Sequence, residues 1–183
     1  MHVLTLCGSL RAASINAQLL DTLGSMAPKG ATVARCQTIA TLPLFNPDLS
    51  EDLPAPVKRM EEEIRRADIL VFASPEYAHG ISGVLKNALD WLVASEVYVN
   101  KPVVILNAAP RAQHADSALR EVLSVMSGEI IHAASLSVTI APASRATAAM
   151  AGDAEIRQSL GVVWQAIQSY WQSRAQASAS CQS

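Results

Sequence analysis

The sequence predicts an α/β fold, a parallel sheet of five strands covered by helices on both faces. Short β-rich runs alternate with longer segments of helical period. Most of those runs are near-continuously apolar, as strands buried on both faces must be. Size agrees: 183 residues and 19.4 kDa suit one core. A monomer of that mass hides roughly 70% of the surface its unfolded chain exposes, so it folds without disulfide or metal staples.

The strands are expected at residues 3–7, 32–36, 69–73, 103–106 and 136–140. The second, TVARC, alternates apolar and polar residues and reads as an edge. Between the strands, Ile15, Leu19, Leu20, Leu23 and Met26 fall on one helical face. A helix over 54–66 carries Glu61–Arg65 and Glu62–Arg66 in the favourable i,i+4 order over a thin stripe of Val57, Met60 and Ile64, which predicts a surface helix. Ile81, Val84, Leu85, Ala88, Leu89 and Leu92 make the next stripe, and Leu119, Val122, Leu123 and Met126 another. The last helix holds Ile156, Leu160, Val163, Trp164, Ile167, Tyr170 and Trp171. Five βα units are the count of a flavodoxin-like three-layer sandwich, whose strand order is 2-1-3-4-5. Residues 1–174 are expected to form this domain, and the Ala/Ser/Gln stretch 175–183 a frayed, disordered tail. Pro43, Pro47, Pro54 and Pro56 should keep loop 41–56 extended and stiff.

Composition excludes several classes. Fourteen Lys and Arg against sixteen Asp and Glu leave a net charge of −2, with half the residues hydrophobic. A nucleic-acid binder held by phosphate neutralisation would be basic, and a disordered chain more polar. Cys7, Cys36 and Cys181 are scattered with no CxxC pair, which suggests a reducing compartment. No stretch offers 18 consecutive apolar residues, and the apolar opening MHVLTLCG is too short for a leader or a span. A soluble cytoplasmic protein, with no membrane or nucleic-acid partner, is the expectation.

In an open α/β sheet the ligand crevice lies beyond the carboxyl ends of the strands, where strand order reverses. The loop after the first strand reads Gly8-Ser9-Leu10-Arg11-Ala12-Ala13-Ser14-Ile15-Asn16. It offers a small turn residue, hydroxyls, a guanidinium, an amide and the N–H groups of a helix start, which are the parts of a phosphate cradle. It is neither a Walker loop nor G-x-G-x-x-G. Nor does it carry the carboxylates a receiver-type phosphoacceptor needs. The same residues also fit a plain helix start, with Ser14 as cap and Arg11 solvated.

The loop after the third strand is more specific: Ser74-Pro75-Glu76-Tyr77-Ala78-His79-Gly80-Ile81-Ser82-Gly83-Val84-Leu85-Lys86-Asn87-Ala88-Leu89-Asp90-Trp91. Paired with GSLRxxSxN after the first strand, SPEYxxGxxGxLKNALDW resembles the NADPH-dependent FMN reductase family, whose flavodoxin-fold members include quinone, chromate and azo-dye reductases. The resemblance is specific from the first strand to about Trp91 and looser beyond. It implies an FMN whose phosphate sits on Ser9, Arg11, Ser14, Ile15 and Asn16. The isoalloxazine edge would rest against Pro75, Glu76, Tyr77, Ala78, His79 and Gly80, with Ala109 and Arg111 bordering it from the loop after the fourth strand. It further implies NADPH or NADH as donor, and a quinone, free flavin, azo compound or oxidised metal ion as acceptor. Substrates would alternate over one flavin face in a homodimer or homotetramer. The chain departs from the family's pattern at Ala78, Gly80 and Ser82, where relatives carry Asn, Ser and Pro, and in Asn107-Ala108-Ala109-Pro110-Arg111, where they often carry a Gly-rich turn.

No residue is expected to act as nucleophile or general base, and no metal ligands are expected, since the cofactor performs the redox step. Arg111 fits either an attractor of dinucleotide phosphates or a solvated side chain. His79 fits a proton source or a loop histidine, and Tyr77 a pocket wall. Lys86, Asn87 and Asp90 suit structural or interface contacts, the three Trp core or interface packing, and Cys7 an inert core residue. Two other classes stand beside the enzyme: a flavin-binding electron carrier or sensor, which would usually be more acidic, and a cofactor-free scaffold, which would leave the first loop's polar groups without a purpose.

Overall fold

The computed structural model describes residues 1–93, 95–144 and 147–180. Its sheet is built from β1 (His2–Cys7), β2 (Thr32–Arg35), β3 (Ile69–Ala73), β6 (Pro102–Ile105) and β7 (Glu129–Ile130) in the order β2-β1-β3-β6-β7, all parallel. Discounting a separate hairpin, β4 (Glu76–Tyr77) with β5 (Gly80–Ile81), this is the 2-1-3-4-5 order expected. β2 is an edge, as its alternation predicts.

Side chains alternate across the sheet into two cores. Val3, Cys7, Ile69, Val71 and Val104 meet α1 (Ile15–Ser25), α5 (Thr147–Gly152) and α6 (Ala154–Ser180) on one face. Leu4, Leu6, Leu70, Phe72 and Ile105 meet α2 (Ala55–Arg66), α3 (Gly83–Leu92) and α4 (Gln113–Val125) on the other. The central strand Ile69–Ala73 is buried throughout, as its unbroken apolar run requires. The Trp164 indole N–H donates to Leu23 O at 3.0 Å and ties α6 to α1.

Four expectations change. The fifth strand is not 136–140. The edge pairs at Glu129–Ile130, breaks at a 3-10 turn (His132–Ala134) and touches the sheet again only at the Asn107–Ser137 bridge. Beyond Asn107 the neighbouring chain turns away, so 136–140 pairs only through the Asn107 N–H to Leu136 O and the Val138 N–H to Asn107 O. Ser135 spans the break: its hydroxyl accepts from Ile105 N–H (3.0 Å) and donates to Ile131 O (2.9 Å). The last helix is preceded by α5, and Asp153 Oδ1 starts α6 by accepting from the N–H groups of Glu155 and Ile156. α6 also runs past Ala175 to Ser180, because Ala and Gln propagate helix well. The rest of the expected tail, 181–183 with Cys181, lies outside the described residues. In α2, Glu62 pairs with both Arg65 and Arg66, while Glu61 accepts from the Ser95 hydroxyl at 2.5 Å instead of pairing with Arg65.

The proline-rich loop holds a 3-10 turn at Pro47–Leu49, capped by Asn46 Oδ1 on Asp48 N–H. Its start is pinned to α3. Asn87 accepts from Phe45 N–H (2.8 Å) and donates to Pro43 O (2.9 Å), Trp91 Nε1 donates to the same carbonyl (2.9 Å), and the Phe45 and Trp91 rings meet edge to face at 5.1 Å. Lys86 and Asp90 pair along α3 at 2.5 Å. No helix among the described residues is long and apolar enough to cross a membrane.

Candidate functional site

The carboxyl ends of β1, β3 and β6 open onto a cleft of about 640 Å³, inside the range of about 300–1,000 Å³ typical of ligand and cofactor sites. Ser9, Arg11, Ser14, Ile15, Asn16, Pro75, Glu76, Tyr77, Ala109 and Arg111 line it, so the structure gathers ten of the residues singled out in the sequence. Ala78, His79 and Gly80 are not among its walls. They form the turn and return of the β4–β5 hairpin, of which only Glu76 and Tyr77 reach the cleft. Ala13, Ala108 and Ala112 complete the lining. Nothing in their residue type marked them, and only their neighbours in sequence could have.

At the phosphate-like end, Ser14 is the N-cap of α1: its Oγ accepts from Ala17 N–H at 3.2 Å. That use leaves the hydroxyl proton and the first-turn N–H groups of Ile15 and Asn16, which a helix cannot satisfy internally, on the cleft wall. Capping and cradling are therefore compatible, since Ser14 does the first without consuming the donors of the second. Ser9 Oγ accepts from Arg11 N–H at 3.4 Å and folds the loop. Asn16 is 9% exposed, and its Oδ1 is buried with no partner among the described residues. A bound ligand or water reaching this amide would satisfy it, with the amide free to present oxygen or nitrogen.

Gly8 is dictated by close approach. A Cβ there would stand 2.6 Å from Ser82 Oγ and 2.9 Å from Ser74 Oγ. Both hydroxyls are committed, Ser74 accepting from Ser82 N–H and Ser82 capping α3 through Leu85 N–H. Ser82 thus starts the helix by a side-chain cap.

Glu76 fixes the ring-side wall. Its Oε2 accepts from Ala115 N–H in the first turn of α4 at 2.9 Å, doing what Ala112, the cap residue, has no side chain to do. Its Oε1 stands 3.2 Å from His79 Nδ1, and the His79 and His114 rings meet edge to face at 4.5 Å. The Ala115 N–H foremost, with His114 and His79 beyond it, holds the Glu76 carboxyl below the usual carboxylate range. Asn107, which the sequence reading left without a role, shapes the third wall. Its Oδ1 accepts from Ala109 N–H (2.9 Å), and its Nδ2 donates to Ala112 O (3.2 Å).

Charge favours an anion. Glu76 is the one acidic residue of the lining and is already engaged, while Arg11 and Arg111 have no acidic partner among the described residues. With the positive end of α1 they make the cleft electropositive. First-turn N–H groups, an orphaned amide and Arg11 at the start of α1, with a Pro75–Tyr77 wall elsewhere in the cleft, fit a flat ring carrying a phosphate tail. Cys7 is buried with its thiol directed at Ser9 O (3.6 Å), and burial foremost pushes the Cys36 thiol up to about 12, which suits neither for redox work. Among the described residues no His, Cys, Asp and Glu cluster could hold a metal ion.

Comparison with known proteins agrees with this geometry. The chain is 39% identical over 109 residues to the quinone reductase of Escherichia coli K12, covering 57% of this chain and 58% of that protein. It is 38% identical over 112 residues to an NAD(P)H-dependent FMN reductase of Pseudomonas aeruginosa, covering 60% of each. The matched stretch thus spans less than two thirds of these curated relatives. Among solved structures, the flavoenzyme NAD(P)H:(acceptor) oxidoreductase FerB from Paracoccus denitrificans superposes with a TM-score of 0.65 at 28% identity, over 70% of this chain and 74% of that one. An azoreductase from Bacillus anthracis shares the fold, with a TM-score of 0.61 at 17% identity over 90% and 99% of the two chains. The sequence model described as NADPH-dependent FMN reductase matches residues 1–146, and the chain belongs to that family.

Proposed function

We propose that the protein is an FMN-dependent NAD(P)H oxidoreductase that delivers electrons to a small-molecule acceptor such as a quinone, free flavin, azo compound or metal ion. The unsatisfied first turn of α1, with the Ser14 hydroxyl, Arg11 and the Asn16 amide lining the same cleft, carries this reading, because those donors suit a phosphate-bearing ligand. Ser9, Arg11, Ser14, Ile15 and Asn16 hold the phosphate end. Pro75, Glu76 and Tyr77 form the wall for the ring, Ala78, His79 and Gly80 shape the turn behind it, and Ala109 and Arg111 close the far side. Bound FMN supplies the hydride acceptance and electron relay that no side chain here can perform.

The protein's own part is positioning. Tyr77 lines the ring end, while Asn107 and Glu76 keep two walls from drifting. A donor and an acceptor that share one face of the bound flavin would take turns, the donor product leaving before the acceptor enters. Double-reciprocal plots at several acceptor concentrations are therefore parallel; intersecting lines contradict the scheme.

The reading extends to assembly as a homodimer or dimer of dimers. Leu44 is 84% exposed and Phe45 37% on a loop held rigid by Asn87 and Trp91, an apolar projection that a second copy would cover. Two buried free thiols suit the cytoplasm, and a net charge of −2 suits a small-molecule rather than a nucleic-acid partner.

A further inference from the structure

A second cleft of about 400 Å³ lies on the other side of the Ala108–Arg111 ridge, floored by Ile15, Pro110 and Ile140 with Thr139 at its edge. It shares Ile15, Ala108, Ala109 and Arg111 with the first, so the two are lobes of one cavity divided by a ridge. The first lobe's anion-binding groups lie at the start of α1, and Arg11 is among them. Arg111 is a separate cation that faces both lobes and has no acidic partner among the described residues. A single phosphate held at the first lobe does not account for it. A ligand that straddles the ridge with a charged middle and an apolar far end does.

We infer that this second lobe binds the adenosine end of the nicotinamide dinucleotide, with Arg111 on its pyrophosphate. The inference rests on the proposed function and adds a place for the half of the donor that does not react. Guanidinium is suited to the role because it meets phosphate oxygens through two parallel N–H donors. The aliphatic floor of Ile15, Pro110 and Ile140 offers apolar contact to a purine face, and the exposed Thr139 hydroxyl a polar contact at its rim. Binding energy from this remote end would hold the donor in register without touching the reacting atoms.

The test uses FMN-loaded protein and two truncated probes. ADP-ribose carries adenosine and both phosphates but no nicotinamide; reduced nicotinamide mononucleotide carries the reacting ring but no adenosine. Thr139→Trp fills the second lobe from an exposed position, and Arg111→Ala removes the cation. By calorimetry, ADP-ribose should bind the parent protein and lose about tenfold or more in affinity in each variant. In Thr139→Trp the KM for NADPH should rise by a similar factor, with kcat/KM for the mononucleotide unchanged. ADP-ribose that fails to bind, or binds Thr139→Trp as it binds the parent, overturns the inference while NADPH oxidation leaves the proposed function standing. If the parent oxidises neither donor yet ADP-ribose binding is still lost in Thr139→Trp, the adenosine site stands and the oxidoreductase reading falls.

Discussion

Glu76 joins two parts of the chain: it sits in the β4–β5 hairpin beside His79 of the same hairpin's turn, and it accepts from the first turn of α4. Its carboxyl titrates below the ordinary value, so it stabilises the fold fully above an unfolded pKa of about 4.3 and loses that contribution as pH falls through the depressed folded value. In Glu76→Gln the amide oxygen can still cap α4, but the charge is gone. Denaturant midpoints should show the parent ahead of the variant at pH about 7 and the gap narrowing as pH falls below the unfolded pKa of about 4.3; a gap of constant size contradicts this. Next to it, Ala78 and His79 sit at φ 49° and 58°, a pair of left-handed residues suited to a two-residue hairpin turn but strained for any side chain other than Asn, Asp or Gly. Ala78→Asn should stabilise by up to about 1 kcal/mol, raising Tm by about 2–4 °C; a lower Tm counts against the strain. At this scale Ser14, Asn16 and Arg11 were legible because helix-start chemistry is local in sequence. The capping role of Glu76 was not, because its partner lies 39 residues further on.

The pinned loop shows the same division among elements. Its prolines foretold stiffness, but the anchors come from α3, 42 residues away for Phe45–Asn87 and 48 for Pro43–Trp91, and no local pattern announces them. Asn87→Ala should release Phe45 N–H and speed its hydrogen exchange several-fold, the loss of one exposed bond of about 0.5–1.5 kcal/mol; unchanged exchange there would mean the Trp91 contacts alone hold the loop. The buried strands and amphipathic helices were readable because burial on two faces or one imposes periods of its own. The fifth strand misled because LSVTI has the residues of a strand, while the neighbour it needs ends at Asn107. The hairpin was invisible for the opposite reason: its turn is Ala-His, where Asn-Gly would have signalled it.

For the molecule as a whole, the exposed Leu44 and Phe45 should be covered in solution. Light scattering should report a dimer or tetramer, and Leu44→Glu should shift it toward monomer; a parent monomer at every concentration contradicts the assembly. Within the chain, the strand order places two electropositive loops and one flat wall at a single crevice, which is why a chain without a catalytic constellation among its described residues still presents a built site. The central claim is that this crevice lets FMN take a hydride from a nicotinamide. The measurement that tests it most directly is the anaerobic visible spectrum of the FMN-loaded protein before and after one equivalent of NADPH or NADH. The account predicts that the flavin absorption band bleaches; a bound flavin that stays oxidised with both donors would contradict it and leave an electron carrier or sensor in its place.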